Sequence, residues 1–84
     1  MFLHLGGDVI VRVKDVVAII DLETADAPAS KEYLQIAKDE GFLVDVSEGS
    51  PKSFVTTDQK VYLSPISSVT LKKRTAFVRG LSEQ

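Results

Sequence analysis

Apolar and polar positions change their spacing several times along the chain, and each change marks an element. Phe2-Leu3-His4-Leu5 is a short apolar run stopped by Gly6-Gly7-Asp8, a turn able to supply the positive φ angles of a hairpin loop. Val9, Val11 and Val13 then alternate with Ile10, Arg12 and Lys14. That period of two is expected of a strand with a buried β-branched face and a basic outer face. Lys14-Asp15 interrupts the pattern before Val16-Val17-Ala18-Ile19-Ile20, where both faces are apolar, and the run closes at Asp21-Leu22-Glu23. A strand apolar on both faces must be covered twice. The second cover is either another copy of the chain, which makes Val16, Val17, Ala18, Ile19 and Ile20 interface residues, or the chain's own helices over a central strand.

Thr24 to Ser30 reads as a loop, with Ser30 as the cap of a helix from Lys31 to Glu40. Tyr33, Leu34, Ile36 and Ala37 share one side of that helix, and Gly41 stands where a C′ glycine belongs. Phe42 to Val46 is expected as a strand, Glu48-Gly49-Ser50-Pro51 as a turn, and Phe54 to Thr57 as a further strand. Asp58-Gln59 turns the chain tightly into Lys60 to Ser64, which gives a second hairpin. Beyond Pro65 the spacing predicts a helix from Ser67 or Ser68 to Arg79, with Ile66, Val69, Ala76, Phe77 and Leu81 on one side and Gly80 as its stop. These elements define one α+β domain over residues 1–84. Its small, mostly antiparallel sheet has five to six short strands, with one central and one C-terminal helix.

With 84 residues, 44% of them apolar, a second domain does not fit. A chain of this size buries only about 60% of its unfolded surface, so self-association is the expected source of extra stability. The absence of cysteine excludes disulfides, thiolate metal sites and cysteine nucleophiles, and suits a reducing cytoplasm. The longest apolar run, Val16 to Ile20, is far below the roughly 18 residues of a membrane helix, and Met1-Phe2-Leu3-His4 carries no positive charge. No membrane or secretion signal is expected.

The chemistry of a catalytic site is sparse. His4 is the lone histidine and lies in an apolar strand, where local hydrogen bonding at a sheet edge fits it better than general base work. Gly6-Gly7-Asp8 leads into a strand and not a helix, so it is a hairpin turn and not a phosphate loop. Asp8, Asp15, Asp21, Glu23 and Asp26 share no metal-loop or paired-carboxylate spacing. The expectation is no enzyme, no metal and no cofactor.

Charge redirects attention to binding. The chain is formally −2, but residues 1–65 hold 6 basic and 11 acidic side chains, net −5, while residues 66–84 hold Lys72, Lys73, Arg74 and Arg79 against Glu83, net +3. Consecutive helical positions are about 100° apart, so Lys72-Lys73-Arg74 fan over about 200° and cannot all point inward. They are either a solvated helical face suited to the negative end of the macrodipole or phosphate contacts. Repetition of the patch around a symmetric assembly would turn a weak local charge into a continuous track.

The opening Met1-Phe2-Leu3-His4-Leu5-Gly6, the strand Val16 to Asp21, the helix end Ala37-Lys38-Asp39-Glu40-Gly41, and Gly49-Ser50-Pro51-Lys52-Ser53 followed by Tyr62-Leu63-Ser64-Pro65-Ile66-Ser67-Ser68 together resemble the RemA/RemB family of extracellular matrix regulators of spore-forming Gram-positive bacteria. The similarity covers roughly residues 1–78, and it rests on the order of these segments more than on any one motif. The resemblance implies a small cytoplasmic regulator of biofilm matrix genes. It also implies ring-shaped homo-oligomers with promoter DNA along a basic surface, and a related regulator protein as a further partner. The family's contacts are understood to be an arginine at the corner between the second and third strands and an arginine pair in the turn after the central glycine. Here those places hold Asp15 and Ser50-Pro51. Neighbouring cations are the candidate substitutes: Arg12 and Lys14 at the corner, Lys52 in the turn, then Lys72, Lys73, Arg74 and Arg79. Two expectations follow from this: a homo-oligomeric DNA-binding transcription regulator, or an oligomeric interaction module that acts through a partner without touching DNA.

Overall fold

The computed structural model describes residues 1–23 and 28–82, with the backbone alone for 76–82. Phe2–Gly6 (β1) and Val9–Arg12 (β2) form an antiparallel hairpin. The turn takes positive φ at Gly6 and Gly7, and His4 Nε2 donates to the Gly7 carbonyl at 2.8 Å. Leu3, Leu5 and Val13 are buried and Val9 and Val11 half-buried, while Ile10, Arg12 and Lys14 face out, as the alternation predicts. A short 3-10 turn over Val13–Asp15 carries the chain into Val16–Asp21 (β3).

Helix α1 spans Pro28–Asp39, three residues earlier than the Ser30 cap predicts. Ser30 lies inside its first turn, because proline has the φ a helix start needs and lacks an amide proton the first turn could not satisfy. The end is as read: Gly41 at φ +80 donates to Lys38, and Phe42 donates to Ala37, at 3.2 and 2.8 Å, which is a Schellman closure. Leu43–Asp45 (β4), Ser53–Thr57 (β5) and Val61–Ser64 (β6) follow, then helix α2 over Ser68–Ser82.

The six strands divide between two sheets. β1 and β2 stand alone, and the larger sheet has the order β3-β5-β6-β4 with β4 parallel to β6 and the other pairs antiparallel. The expected second hairpin is β5–β6, closed where the Thr57 hydroxyl accepts from the amides of Gln59 and Lys60. One sheet face presents Phe54, Val61, Leu63 and Ile20 to Leu34 and Ala37 of α1. The other presents Ile19 and Val55 to Leu3 and Leu5 of the hairpin and Leu71 of α2. The layers are therefore α1, the four-stranded sheet, and the hairpin together with α2.

Four sequence expectations change here. β3 is covered on both faces by its own chain, yet it is an edge strand and not a central one, and a bulge between Val16 and Ala18 leaves Val17 71% exposed. Tyr33 and Ile36 stay exposed, so the inward stripe of α1 is the buried Ala37 and the half-buried Leu34. Among the described side chains of α2 the buried positions are Ser68, Leu71 and Thr75, while Val69 is exposed. The helix turns small polar residues inward, and the Thr75 hydroxyl is satisfied by the Lys72 carbonyl at 2.9 Å, so the apolar wheel gave the wrong phase. Gly80 does not stop α2, which continues to Ser82. Glycine permits a left-handed stop without imposing one, at a cost of about 1 kcal/mol inside a helix. Ala76, Phe77 and Leu81 have side chains outside the described residues.

Two bonds pin the hairpin layer to the sheet: the fully buried Ser64 hydroxyl donates to the Leu5 carbonyl, and the Ser53 hydroxyl to the Ile66 carbonyl. Gly6 lies against the same seam at φ +128, where an added Cβ would meet Pro65 Cδ at 2.8 Å. Gly6→Ala should combine backbone strain with overpacking and lower stability by about 2–4 kcal/mol in urea melts. Ser64→Ala should cost about 1–3 kcal/mol by stranding a buried carbonyl. At the end of β4 the Asp45 carboxylate accepts from the Ser47 hydroxyl and the Ser47 amide, which holds its pKa below the usual carboxyl value. A carboxyl whose pKa is lower in the folded state stabilises above its unfolded value, near 3.8, and the gain disappears as pH falls through the lowered pKa. The stability gap between wild type and Asp45→Ala should therefore be no more than about 1 kcal/mol at pH 7, since the side chain is exposed, and shrink as pH falls below about 3.8 in denaturant titrations.

Candidate nucleic-acid interface

The candidate cations fall into three places on this fold. The first is the corner between the hairpin and β3. Arg12 ends β2 on its outer face, opposite Phe2 across the ladder, and Lys14 projects from the 3-10 turn into solvent. Arg12 Nε donates to Asp15 Oδ2 at 2.8 Å, an i,i+3 ion pair with the two side chains 56% and 25% exposed. Asp15 leads directly into Val16, which pairs with Thr57, so the corner stands over the β5–β6 turn.

The second place is the turn before β5. Its backbone reverses through Glu48 at φ +57 and Gly49 at φ +90, and the Asp45–Ser47 bonds brace its start. Lys52 is exposed, with its amide donating to Ser64 and its carbonyl accepting from Leu22. It therefore sits at the Asp21 end of β3, whereas Arg12 and Lys14 sit at the Val16 end. Five residues of extended chain lie between, about 17 Å, so the corner and turn cations do not form one cluster on this chain.

The third place is α2. With Ser68, Leu71 and Thr75 turned inward, Lys72, Lys73 and Arg74 are all exposed, and the sequence of α2 contains no acidic residue. Among the described residues no hydrogen bond or ion pair engages the head groups of Lys14, Lys52, Lys72, Lys73 or Arg74. The Arg79 side chain lies outside the described residues. Of the five expected interface residues of β3, Ile19 is buried in the chain's own core, Val16, Ala18 and Ile20 are half-buried, and Val17 is free.

The sequence alternation runs as a strand through Val13 and Lys14, where i,i+3 residues point to opposite faces, so it does not bring Arg12 to Asp15. In a 3-10 turn they eclipse, so the Arg-Val-Lys-Asp spacing carried the signal once the turn was known. Among the described residues no group of three or more His, Asp or Glu is placed to hold a metal, and no helix is long and apolar enough to cross a membrane.

The chain is 42% identical over 78 residues to extracellular matrix regulatory protein B of Bacillus subtilis (strain 168), which spans 93% of this chain and 94% of that protein. A family model described as RemA-like, extracellular matrix regulatory protein A-like, matches residues 2–75. By both measures the chain belongs to the RemA-like family of extracellular matrix regulatory proteins.

Proposed function

We propose that this chain regulates extracellular matrix genes as a homo-oligomer in the cytoplasm, and that it holds promoter DNA through phosphate contacts. The observation that carries this reading is α2. Its inward stripe of Ser68, Leu71 and Thr75 leaves Lys72, Lys73 and Arg74 together in solvent with no acid on the helix, an electrostatic footprint for a polyanion. Lys14, Lys52 and Arg79 extend the set. Nothing in the set is shaped to read base edges, so sequence preference should be modest and salt dependence steep.

Assembly is supported by β3. An edge strand leaves one row of backbone donors and acceptors open, and beside it the bulge holds Val17 in solvent. A second copy is the partner this edge fits. A related regulator protein is the partner in the second reading, in which the chain is an oligomeric interaction module without direct DNA contact. That reading is favoured by the exposed Phe2 and Ile10 on the outer hairpin face, an apolar surface that suits a protein better than a phosphate backbone.

Size-exclusion chromatography with light scattering, with and without a promoter-length duplex at low and physiological salt, separates the two. The regulator should run as an oligomer that shifts with DNA and releases it as salt rises; an oligomer indifferent to DNA at every salt supports the module. Reversing α2 with Lys72→Glu, Lys73→Glu and Arg74→Glu should weaken duplex binding by at least about tenfold and flatten the salt slope by about 0.9 per lost contact, with oligomer mass unchanged. Val17→Glu, exposed in the single chain, should leave the fold intact by circular dichroism and reduce the mass to that of a monomer.

A further inference from the structure

The exposed cations are not equivalent. Arg12 is held by Asp15, whereas Lys14, Lys52, Lys72, Lys73 and Arg74 have no bonded partner among the described residues. In the pair the carboxylate is the better anchored member. Asp15 is only 25% exposed and sits on the 3-10 turn, while the longer Arg12 side chain, 56% exposed, folds back onto it. The recess that Arg12 borders is lined also by Asp15 and by Asp58 of the β5–β6 turn. Its charged lining is therefore one guanidinium against two carboxylates, net −1.

An exposed ion pair of this kind is weak, so pairing alone does not take Arg12 out of reach. What matters is where the negative charge stays. A phosphate that approaches the guanidinium must share it with Asp15, and if the contact opens, the carboxylate remains fixed beside the incoming anion with Asp58 across the recess. Arg12, Lys14 and Asp15 together offer +1 where the two cations alone would offer +2.

We infer that Asp15 sets the DNA affinity of this surface: it neutralises Arg12 and withholds that guanidinium from phosphate, so contact runs through Lys14, Lys52 and the α2 cations. This rests on the phosphate-contact reading above. The opposite role is also chemically open, since the terminal nitrogens of Arg12 are not bonded to Asp15 and a carboxylate can orient a guanidinium toward a phosphate. The two roles predict opposite signs when the Asp15 charge is removed.

The test uses the full chain and a labelled promoter-length duplex, titrated between about 50 and 200 mM salt, with Asp15→Asn, Arg12→Gln and the double variant. Asp15→Asn should bind more tightly at low salt and steepen the salt slope by about 0.9 per contacting subunit, so its loss of affinity over that range grows by about 3.5-fold for each. Arg12→Gln should change little by itself and should return Asp15→Asn to wild-type behaviour. Asp15→Ser repeats the measurement should asparagine disturb the turn, with oligomer mass and thermal midpoint followed in the same buffers. Weaker binding by Asp15→Asn, or a clear loss from Arg12→Gln alone, would mean that Asp15 positions Arg12 on phosphate and would overturn the inference. Equal affinity and slope for wild type and Asp15→Asn would sink it while sparing the DNA-binding reading. No binding by wild type or any variant would remove that reading and the inference with it.

Discussion

Strand β5 is the constraint on which the rest depends. Ser53, Phe54, Val55 and Thr56 are all buried, so neither face of the strand can be left to water, and both of its edges are paired. Phe54 requires the cover of α1, and Val55, fully buried, requires the hairpin and α2. The two serines at the end of the β5–β6 ladder, Ser53 and Ser64, then face the hairpin layer and reach carbonyls of Leu5 and Ile66. A buried hydroxyl needs a partner, and these two fix the hairpin and the start of α2 relative to the sheet at no cost in unpaired groups. No buried side-chain nitrogen or oxygen among the described residues lacks a partner.

How far the sequence revealed this follows from the kind of signal each element carries. The β1–β2 hairpin was legible because alternation and paired glycines are local, and the end of α1 because a C′ glycine is local too. The identity of β3's covers was not, since Val16 to Ile20 shows two apolar faces whether the second cover is a helix or another molecule. The start of α2 is phased differently from the sequence reading for a physical reason: Ser68 and Thr75 are buried, Thr75 with its hydroxyl bonded to the Lys72 carbonyl, and a hydropathy wheel counts both as surface. The same misphasing did not spoil the cations, because three consecutive charges around a helix leave solvent as their destination whichever side is buried.

The candidate site was legible in composition but not in arrangement. Lys52 and the Arg12–Lys14 corner are separated in sequence and are also separated in space, at opposite ends of β5. A basic track on this fold therefore cannot be built inside one subunit from those two groups. It requires α2 or a neighbouring copy to bridge them. On the proposed reading, self-association would then have a second physical motive beside the open edge of β3, one that concerns DNA and not stability.

Net charge then takes on a specific meaning. A chain at −2 repels a polyanion at long range, and its Debye screening at physiological salt is about 8 Å, short enough for local patches to act independently. The α2 face is locally positive with no acid on the helix, whereas the Arg12 corner is locally balanced by Asp15 and Asp58. Two surfaces of the same chain thus differ in local charge. An assembly made of such subunits would hold DNA by the helices and leave the corners, with Phe2 and Ile10 exposed beside Arg12, for contacts of another kind. On the phosphate-contact proposal, the acidic residue at the corner would keep those two roles apart on the surface of one chain.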